Sequence, residues 1–506
     1  MKDETSQNNN SYGQILKSTT LVGGSQVINI LLGIVRTKFL AVLLGPGGFG
    51  LMGMYGALLG TVGTFAGMGI GSSGVRQIAE AAGTGDGQKI ARTIITLRRT
   101  VIVTGLLGML LTIIFCVPLS KLTFGTDKYA IPIAVLSVTL LLGSISGGQT
   151  ALIQGLRRIA DIARLSVLGA FFGTVLSIPM IYLWGKEGIV PFLITVSAMT
   201  ILTSWWYARK ISVVKVTLGL KETLQEAKGL LSLGLVFMAT GLMTAAVMYL
   251  IRIIIIRKLG MDSVGLYQSA ATLSSLYIGV ILGAMGMDFY PRLTALAKDN
   301  EKCNQLVNEQ TAVGLLVAVP GILATLTFAP LVIHVFYAAS FIPAYDILRW
   351  QILGVFLRVM SWPMGFTLLA QGKGTLYFWT ELSANAVHLL FVLVGITYFG
   401  LKGTGIAFFG LYVFYTLMMF AVVSNITGFR WSAVNLNIIT VFSFFIAAVF
   451  LMPIFLPKNP ALAINSAIIL GVSAYCLRKI YHLVGPQWFI DFFNKLKNSM
   501  GLNKAK

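Results

Sequence analysis

Acidic residues and cysteines are what this chain has least of. Its 506 residues include 17 Asp and Glu against 38 Lys and Arg, with three His and three Cys. Cys116, Cys303 and Cys476 are widely separated and fall in or beside apolar runs, so no disulfide framework or metal-ligand spacing is present. No metal and no cofactor is therefore expected. The carboxylates form no pair at a catalytic spacing, and the chain has neither a phosphate-cradling Walker loop nor a helix-borne HExxH. GMGIG at 67–71 has no parallel strand before it, which removes the dinucleotide reading. These absences argue against an enzyme. The first sixteen residues are polar and lack an apolar core followed by a cleavage site, so the first apolar span is expected to direct insertion.

What is abundant is apolar sequence. Hydrophobic residues make up 56% of the chain and the mean hydropathy is +0.83, which marks a polytopic membrane protein. About 20 apolar residues span a bilayer core, and such runs fall at 19–44, 51–74, 100–120, 130–153, 165–184, 188–208, 230–256, 264–288, 311–336, 343–370, 376–399, 403–425, 435–456 and 461–482. The expected fold is thus all-α, with about 14 transmembrane helices. A basic excess of this size could mean nucleic acid, but most Lys and Arg lie in short connectors between spans, as membrane topology requires. Their bias places both termini in the cytoplasm, and no nucleic-acid partner is expected.

An internal repeat is legible. LLGPGGFGL at 43–51 matches KLGMDSVGL at 258–266 at an offset of 215, and Arg76 matches Arg292 at 216. Gln154-Gly155 matches Gln371-Gly372, and Gly188-Ile189 matches Gly405-Ile406, both at 217. Six spans per copy is an even number, so the copies enter the membrane in the same direction. Two six-helix lobes related by a parallel pseudo-two-fold repeat are expected, with a cavity between them. The segments read as follows: 1–16 a cytoplasmic N-terminal segment, 17–208 the N-lobe, 209–228 a cytoplasmic linker and 229–428 the C-lobe. Helices 13 and 14 occupy 429–483, and a basic cytoplasmic tail 484–506.

Charges inside spans single out candidate site residues, because a cation at the bilayer centre costs roughly 3 kcal/mol or more unless it faces protein or water. Arg36 precedes Gly45 by nine residues, roughly 13 Å at 1.5 Å per residue. Ser25, Asn29 and Gly33 lie behind it at helical spacing, the first two as candidate cavity-lining groups. Arg252 precedes Gly260 by eight residues, and Arg358 falls halfway through span ten with Gln351 near its face. Forked guanidinium donors suit phosphate, so Arg36, Arg252 and Arg358 are expected to bind an anion. Lys38 is about 200° around the helix from Arg36, and Arg257 and Lys258, with Lys38 as a further candidate, are read as snorkelling to an interface. Arg349 follows Asp346 by three residues, which suggests an ion pair. Glu381, Asn385 and His388 share a face of span eleven, making Glu381 and His388 candidates for ion coupling, although interfacial placement and packing explain them as simply. Trp205, Trp206 and Tyr207 read as interface anchors.

GIVRTKFLAVLLGPGGFGL at 33–51 and FIPAYDILRWQILGVFLRV at 341–359, with Asp346, Trp350, Gln351, Gly354 and Arg358, resemble the bacterial O-antigen and enterobacterial common antigen translocases. These form the polysaccharide transporter branch of the multidrug/oligosaccharidyl-lipid/polysaccharide exporter superfamily. Glu381 fits the segment that follows, while helices 13 and 14 exceed the twelve of the common antigen type. The resemblance implies an inner-membrane flippase that moves an undecaprenyl-diphosphate-linked glycan from the cytoplasmic to the periplasmic leaflet. Its partners would be that glycan and the lipid bilayer, with a polysaccharide polymerase and a chain-length regulator as further candidates. A lipid II flippase shares the same anion logic and remains the alternative. A cation-exporting multidrug antiporter would need acidic residues in the cavity, and an embedded ligase or polymerase subunit would need a sizeable outer loop.

Overall fold

The computed structural model describes residues 2–484, residues 213 and 215 excepted. Sixteen α-helices follow one another: α1 Lys2–Gly67, α2 Ile70–Gly83, α3 Gly87–Ile114, α4 Cys116–Phe124, α5 Ala130–Leu136, α6 Val138–Gly155, α7 Ile159–Trp184 and α8 Ile189–Ala208. After a connector come α9 Leu220–Leu259, α10 Met261–Ala295, α11 Asn300–Phe336, α12 Tyr345–Ala370, α13 Gly374–Phe399, α14 Lys402–Thr427, α15 Ala433–Phe455 and α16 Lys458–Val484. Ten stretches among the described residues are long and apolar enough to cross a membrane. Ile159–Ala208 holds two of the expected spans and Gly24–Gly67 most of two more; the run expected at 51–74 is broken at Met68 and Gly69, both at positive φ, and the runs expected at 230–256 and 264–288 lie within α9 and α10. The protein is a multi-pass, all-helical membrane protein. Apart from Val484, the basic tail expected over 484–506 lies outside the described residues.

The chain forms two compact units, Met1–Gln268 with His334–Phe341, and Ser269–Ile333 with Ile342–Lys506. In the first, α2, α3, α6, α7, α8 and α9 converge on one buried cluster built around Ile78, Ile94, Leu97, Ile153, Tyr207 and Leu230. Tyr207, expected at the interface, is instead part of this core, whereas Trp205 and Trp206 are half exposed. The expected linker is shorter than its polar sequence suggests, because helix resumes at Leu220. That helix start is docked on α3: Arg99 donates to the Leu218 carbonyl and to Thr223 Oγ1, and Thr96 donates to Glu226. The second unit has its own cluster, in which Phe289 and Leu293 meet Val307, Met364, Leu368, Met419 and Phe429. There Asn308 ties α11 to the start of α15, accepting from the Ser432 amide and from Asn435 Nδ2 while donating to the Arg430 carbonyl.

Turn geometry repeats at one constant offset of 215. Gly45 (φ 64°, ψ −176°) interrupts α1 before Pro46, and Gly260 (φ 85°, ψ 176°) separates α9 from α10 in the same conformation. Only glycine adopts such angles at little cost, and a following proline disfavours helix for the residue before it. Between α6 and α7 the amides of Leu156, Arg157 and Arg158 bond to the carbonyls of Leu152, Gln154 and Ile153. Between α12 and α13, the amides of Gln371, Gly372 and Lys373 bond to Thr367, Leu369 and Leu368 in the same pattern. Gly185 (φ 56°, ψ −127°) and Gly400 (φ 57°, ψ −141°) open the next pair of turns. The letter matches at 217 are thus two residues out of register: Gly372 stands opposite Arg157, and Gly403 opposite Gly188. Helices α5 to α8 recur as α12 to α14, with the break between α5 and α6 absent from α12.

Candidate functional site

Of the five cations expected inside spans, four have partners among the described residues. Lys38 Nζ donates to the His334 carbonyl at the end of α11. Arg252 is held most firmly: Nε and Nη2 donate to Gln268 Oε1 at 3.0 and 2.6 Å, Nη1 to the Met248 carbonyl at 2.8 Å, and the guanidinium lies 5.8 Å from the Tyr267 ring. Arg349 donates to the Phe450 carbonyl on α15 and sits over the rings of Tyr345 and Phe450. No Arg349–Asp346 ion pair within 4 Å is present among the described residues; Asp346 acts on the guanidinium at longer range, and the close partners of the guanidinium are that carbonyl and those rings. Near the end of α9, Arg257 donates to the carbonyls of Lys121 and Leu122 in the last turn of α4. A cation at the carbonyl end of a helix is favoured by the helix dipole, so a residue expected to snorkel instead bonds a helix C-terminus.

Arg36 is the exception. It is partly exposed on α1, and it has no hydrogen bond, ion pair or ring partner among the described residues. Behind it, Asn29 Nδ2 donates to Ser166 Oγ on α7 at 2.8 Å, which commits that end of the polar stripe to helix contact. Ser25 also has a partner. At the constant offset, Arg36 is equivalent to the buried Ile251, and Arg252 to Thr37, so the two arginines are one residue, about 100° of helix, out of equivalence. Among the described residues one guanidinium has no partner and the other is tied.

Arg358 lies in the second unit with a different set of neighbours. Its guanidinium is 5.6 Å from the Tyr412 ring and interacts electrostatically with Glu381. Glu381 accepts a hydrogen bond from Tyr415 Oη at 2.7 Å. The stripe on α13 is not a continuous relay. Asn385 donates to the Glu381 main-chain carbonyl, and His388, 2% exposed, packs edge-on to Phe408 with ring centroids 6.2 Å apart. Gln351, expected to line a cavity, is 1% exposed and accepts from Ser274 Oγ, which makes it a buried tie between α12 and α10.

The first unit holds a groove that the sequence did not flag. Its volume is about 490 Å³, and Ser72, Ser146, Thr150, Gln154, Ser197 and Thr200 line it. A second hollow of about 440 Å³ shares Gly71, Gly143, Gly147, Val196 and Ser197 with it. The offset of 215 explains why it is open: Gly143, Ser197 and Thr200 are equivalent to Arg358, Tyr412 and Tyr415. The same backbone positions carry small residues in one copy and a guanidinium with two phenols in the other. A glycine- and hydroxyl-lined groove offers neutral donors and acceptors, whereas the filled copy offers a charge cluster. Small residues on transmembrane helices ordinarily signal close packing, which is why their sequence pattern alone did not suggest a groove.

Known proteins resemble this chain over most of its length. The lipid III flippase of Escherichia coli (strain K12) is 23% identical over 405 residues, covering 79% of this chain and 96% of that protein. A Shigella flexneri protein described as an O-antigen transporter is 24% identical, covering 75% of this chain and 90% of its own. Among solved structures, the lipid II flippase MurJ in an inward closed conformation superposes with a TM-score of 0.68 at 14% identity, covering 93% and 99% of the two chains. An inward-facing multidrug resistance MATE family transporter of the MOP superfamily superposes with 0.66 at 18% identity, covering 79% and 94%. These likenesses show that the fold is that of the MOP superfamily. A family model described as polysaccharide biosynthesis protein matches residues 39–346, and the chain belongs to that family.

Proposed function

We propose that the protein is an inner-membrane flippase that moves an undecaprenyl-diphosphate-linked oligosaccharide, an O-antigen or related repeat unit, from the cytoplasmic to the periplasmic leaflet. The observation that carries this reading is the Arg36 guanidinium on a membrane-spanning helix, which has no partner among the described residues. An uncompensated cation at that depth is expensive unless it serves an anion, and a guanidinium fits phosphate by paired hydrogen bonds. Arg252 and Arg358 are secondary contacts in this scheme, since each must first release or share Gln268 or Glu381. The glycan is received by neutral groups, for which the hydroxyl-lined groove of the first unit is suited. Two six-helix lobes alternate between inward-open and outward-open states. Glu381, bonded to Tyr415 beside Arg358, is the candidate for ion coupling, and His388 supports it only through packing.

The lipid III flippase and the O-antigen transporter support this class by similarity over at least 90% of their lengths. A lipid II flippase is the second reading, favoured by the MurJ superposition. The deciding experiment is deletion of the gene in its own host, followed by mass spectrometry of lipid-linked glycans on the cytoplasmic leaflet. Accumulation of an oligosaccharide repeat unit supports the proposal. Accumulation of lipid II assigns the second reading, and no accumulation of either removes both.

A further inference from the structure

A further pocket in the first unit, on the other side of α6, has a chemistry that the flippase reading does not use. It is a cleft of about 520 Å³ with α3 and α8 as its walls and Ile145, Gly148 and Gln149 of α6 as its floor. Arg98 enters from α3, and Arg209 with Trp205 from the end of α8. The Arg209 guanidinium carbon lies over Trp206, 3.7 Å from the ring centroid, and 4.7 Å from that of Trp205. Arg98 is exposed and has no hydrogen bond or ion pair among the described residues. Gln149 accepts from Ser204 through Oε1, leaving its amide NH2 as a further donor. No carboxylate lines the cleft among the described residues.

Both walls continue into apolar stripes that end on these cations. On α3, Arg98 is followed at spacings of four by Ile102, Leu106 and Leu110, exposed by 41, 37 and 49%. On α8, Leu202 and Trp206 lead at helical spacing to Arg209. An exposed apolar face on a membrane helix meets acyl chains, and the aromatic and basic residues at its end meet headgroups. Donors gathered without a single acid at the end of two such stripes select negative charge, and guanidinium binds phosphate in two-pronged fashion.

We infer that this cleft binds the phosphate headgroup of an anionic glycerophospholipid of the surrounding bilayer, with its acyl chains along the α3 and α8 stripes. Bound there, the lipid bridges the two helices through their cations. The test is native mass spectrometry of the full-length protein purified in detergent and titrated separately with phosphatidylglycerol, phosphatidylcholine and undecaprenyl phosphate, followed by competition between them. The inference expects phosphatidylglycerol to be retained over phosphatidylcholine, and retention to fall about tenfold for each of Arg98→Gln and Arg209→Gln, the scale of one charge-assisted hydrogen bond. Arg98→Lys with Arg209→Lys should restore part of the selectivity. Thermal melting with and without phosphatidylglycerol provides a second readout, and the stabilisation should vanish in the Gln variants. Equal retention of the two glycerophospholipids by the wild type overturns the inference without any variant. Unchanged retention in the double Gln variant overturns it as well, and preferential displacement by undecaprenyl phosphate would reassign the cleft to the transported lipid.

Discussion

Gly50 and Gly265, equivalent residues of the two sequence copies, lie back to back: a Cβ at Gly50 would sit 2.8 Å from the Gly265 amide nitrogen, and one at Gly265 would sit 3.1 Å from that of Gly50. The contact is reciprocal in a second way. A Cβ at Gly50 would collide with the Met261 carbonyl, and one at Gly265 with the Pro46 carbonyl, again equivalent partners. Because the opposing atoms are backbone, neither side can yield by changing rotamer. Gly265→Ala should therefore destabilise the protein by about 1–3 kcal/mol through overpacking, read as a lowered melting temperature in detergent. An unchanged melting temperature would show that α1 and α10 can separate there at no cost.

Arg36→Gln should abolish restoration of surface polysaccharide in a flippase-deficient strain while protein level and melting temperature stay at wild-type values, because no described protein group depends on that guanidinium. Arg252→Gln should behave in the opposite way. It removes the two bonds to Gln268 Oε1 and the one to the Met248 carbonyl, a loss of about 1–3 kcal/mol of stability. Measuring transport and melting for both variants separates the two roles, and equal effects on both readouts would refute the distinction.

Ser197→Tyr places in the first copy the side chain that its twin carries at Tyr412, and so fills the hydroxyl-lined groove. Transport should fall at least tenfold with folding retained, since the equivalent helix accommodates a phenol at this position. Full activity of Ser197→Tyr in the complementation assay would show that no part of the glycan enters the groove.

Asn308→Ala should destabilise the second unit by about 1–3 kcal/mol, because it orphans the Ser432 amide and removes the bond to the Arg430 carbonyl, while Asn435 Nδ2 keeps only its bond to the Asn308 main-chain carbonyl. Asn308→Asp keeps the acceptor and should cost less. Denaturant or thermal melting of the two variants checks the order, and a cost for Ala no larger than for Asp would contradict it.

Asp299 gives a pH dependence. Its carboxylate accepts from the Lys302 amide at 3.1 Å at the start of α11, and that bond, with the Lys302 ammonium 3.0 Å away, holds its pKa below the usual carboxylate value. A depressed folded-state pKa means the cap contributes above the ordinary carboxylate range and is lost as pH falls through the lower value. Hydrogen–deuterium exchange in the first turn of α11, corrected for intrinsic rates, should therefore rise on acidification. The rise should be absent in Asp299→Ala.

How much could be read from the letters varies with the physical cause. Span positions were legible because a bilayer demands about twenty apolar residues wherever it is crossed, and the α1 break because Gly-Pro has few conformations. The letter matches and the turn geometry do not share a register: Gln-Gly recurs at 217 in the letters, whereas the backbone turns recur at 215, with Arg157 in a left-handed conformation where Gly372 stands at that offset. Partners distant along the chain escaped notice. Nothing local distinguishes Arg349, whose acceptor is Phe450, from a residue paired with its neighbour Asp346. Gln351 looked like a cavity group because polarity was visible and Ser274 was not.

The glycine contact can also be described as an oligomer surface. Patches that touch through the same residues from both sides, Gly50 to Met261 and Gly265 to Pro46, make an isologous interface, the kind that joins two identical subunits about a two-fold axis. Here both patches belong to one chain, so the encounter is intramolecular and independent of concentration. Each copy of the Gly-rich turn supplies the mould for the other, and a drift in either sequence must be tolerated by a partner that the chain itself encodes about two hundred residues away.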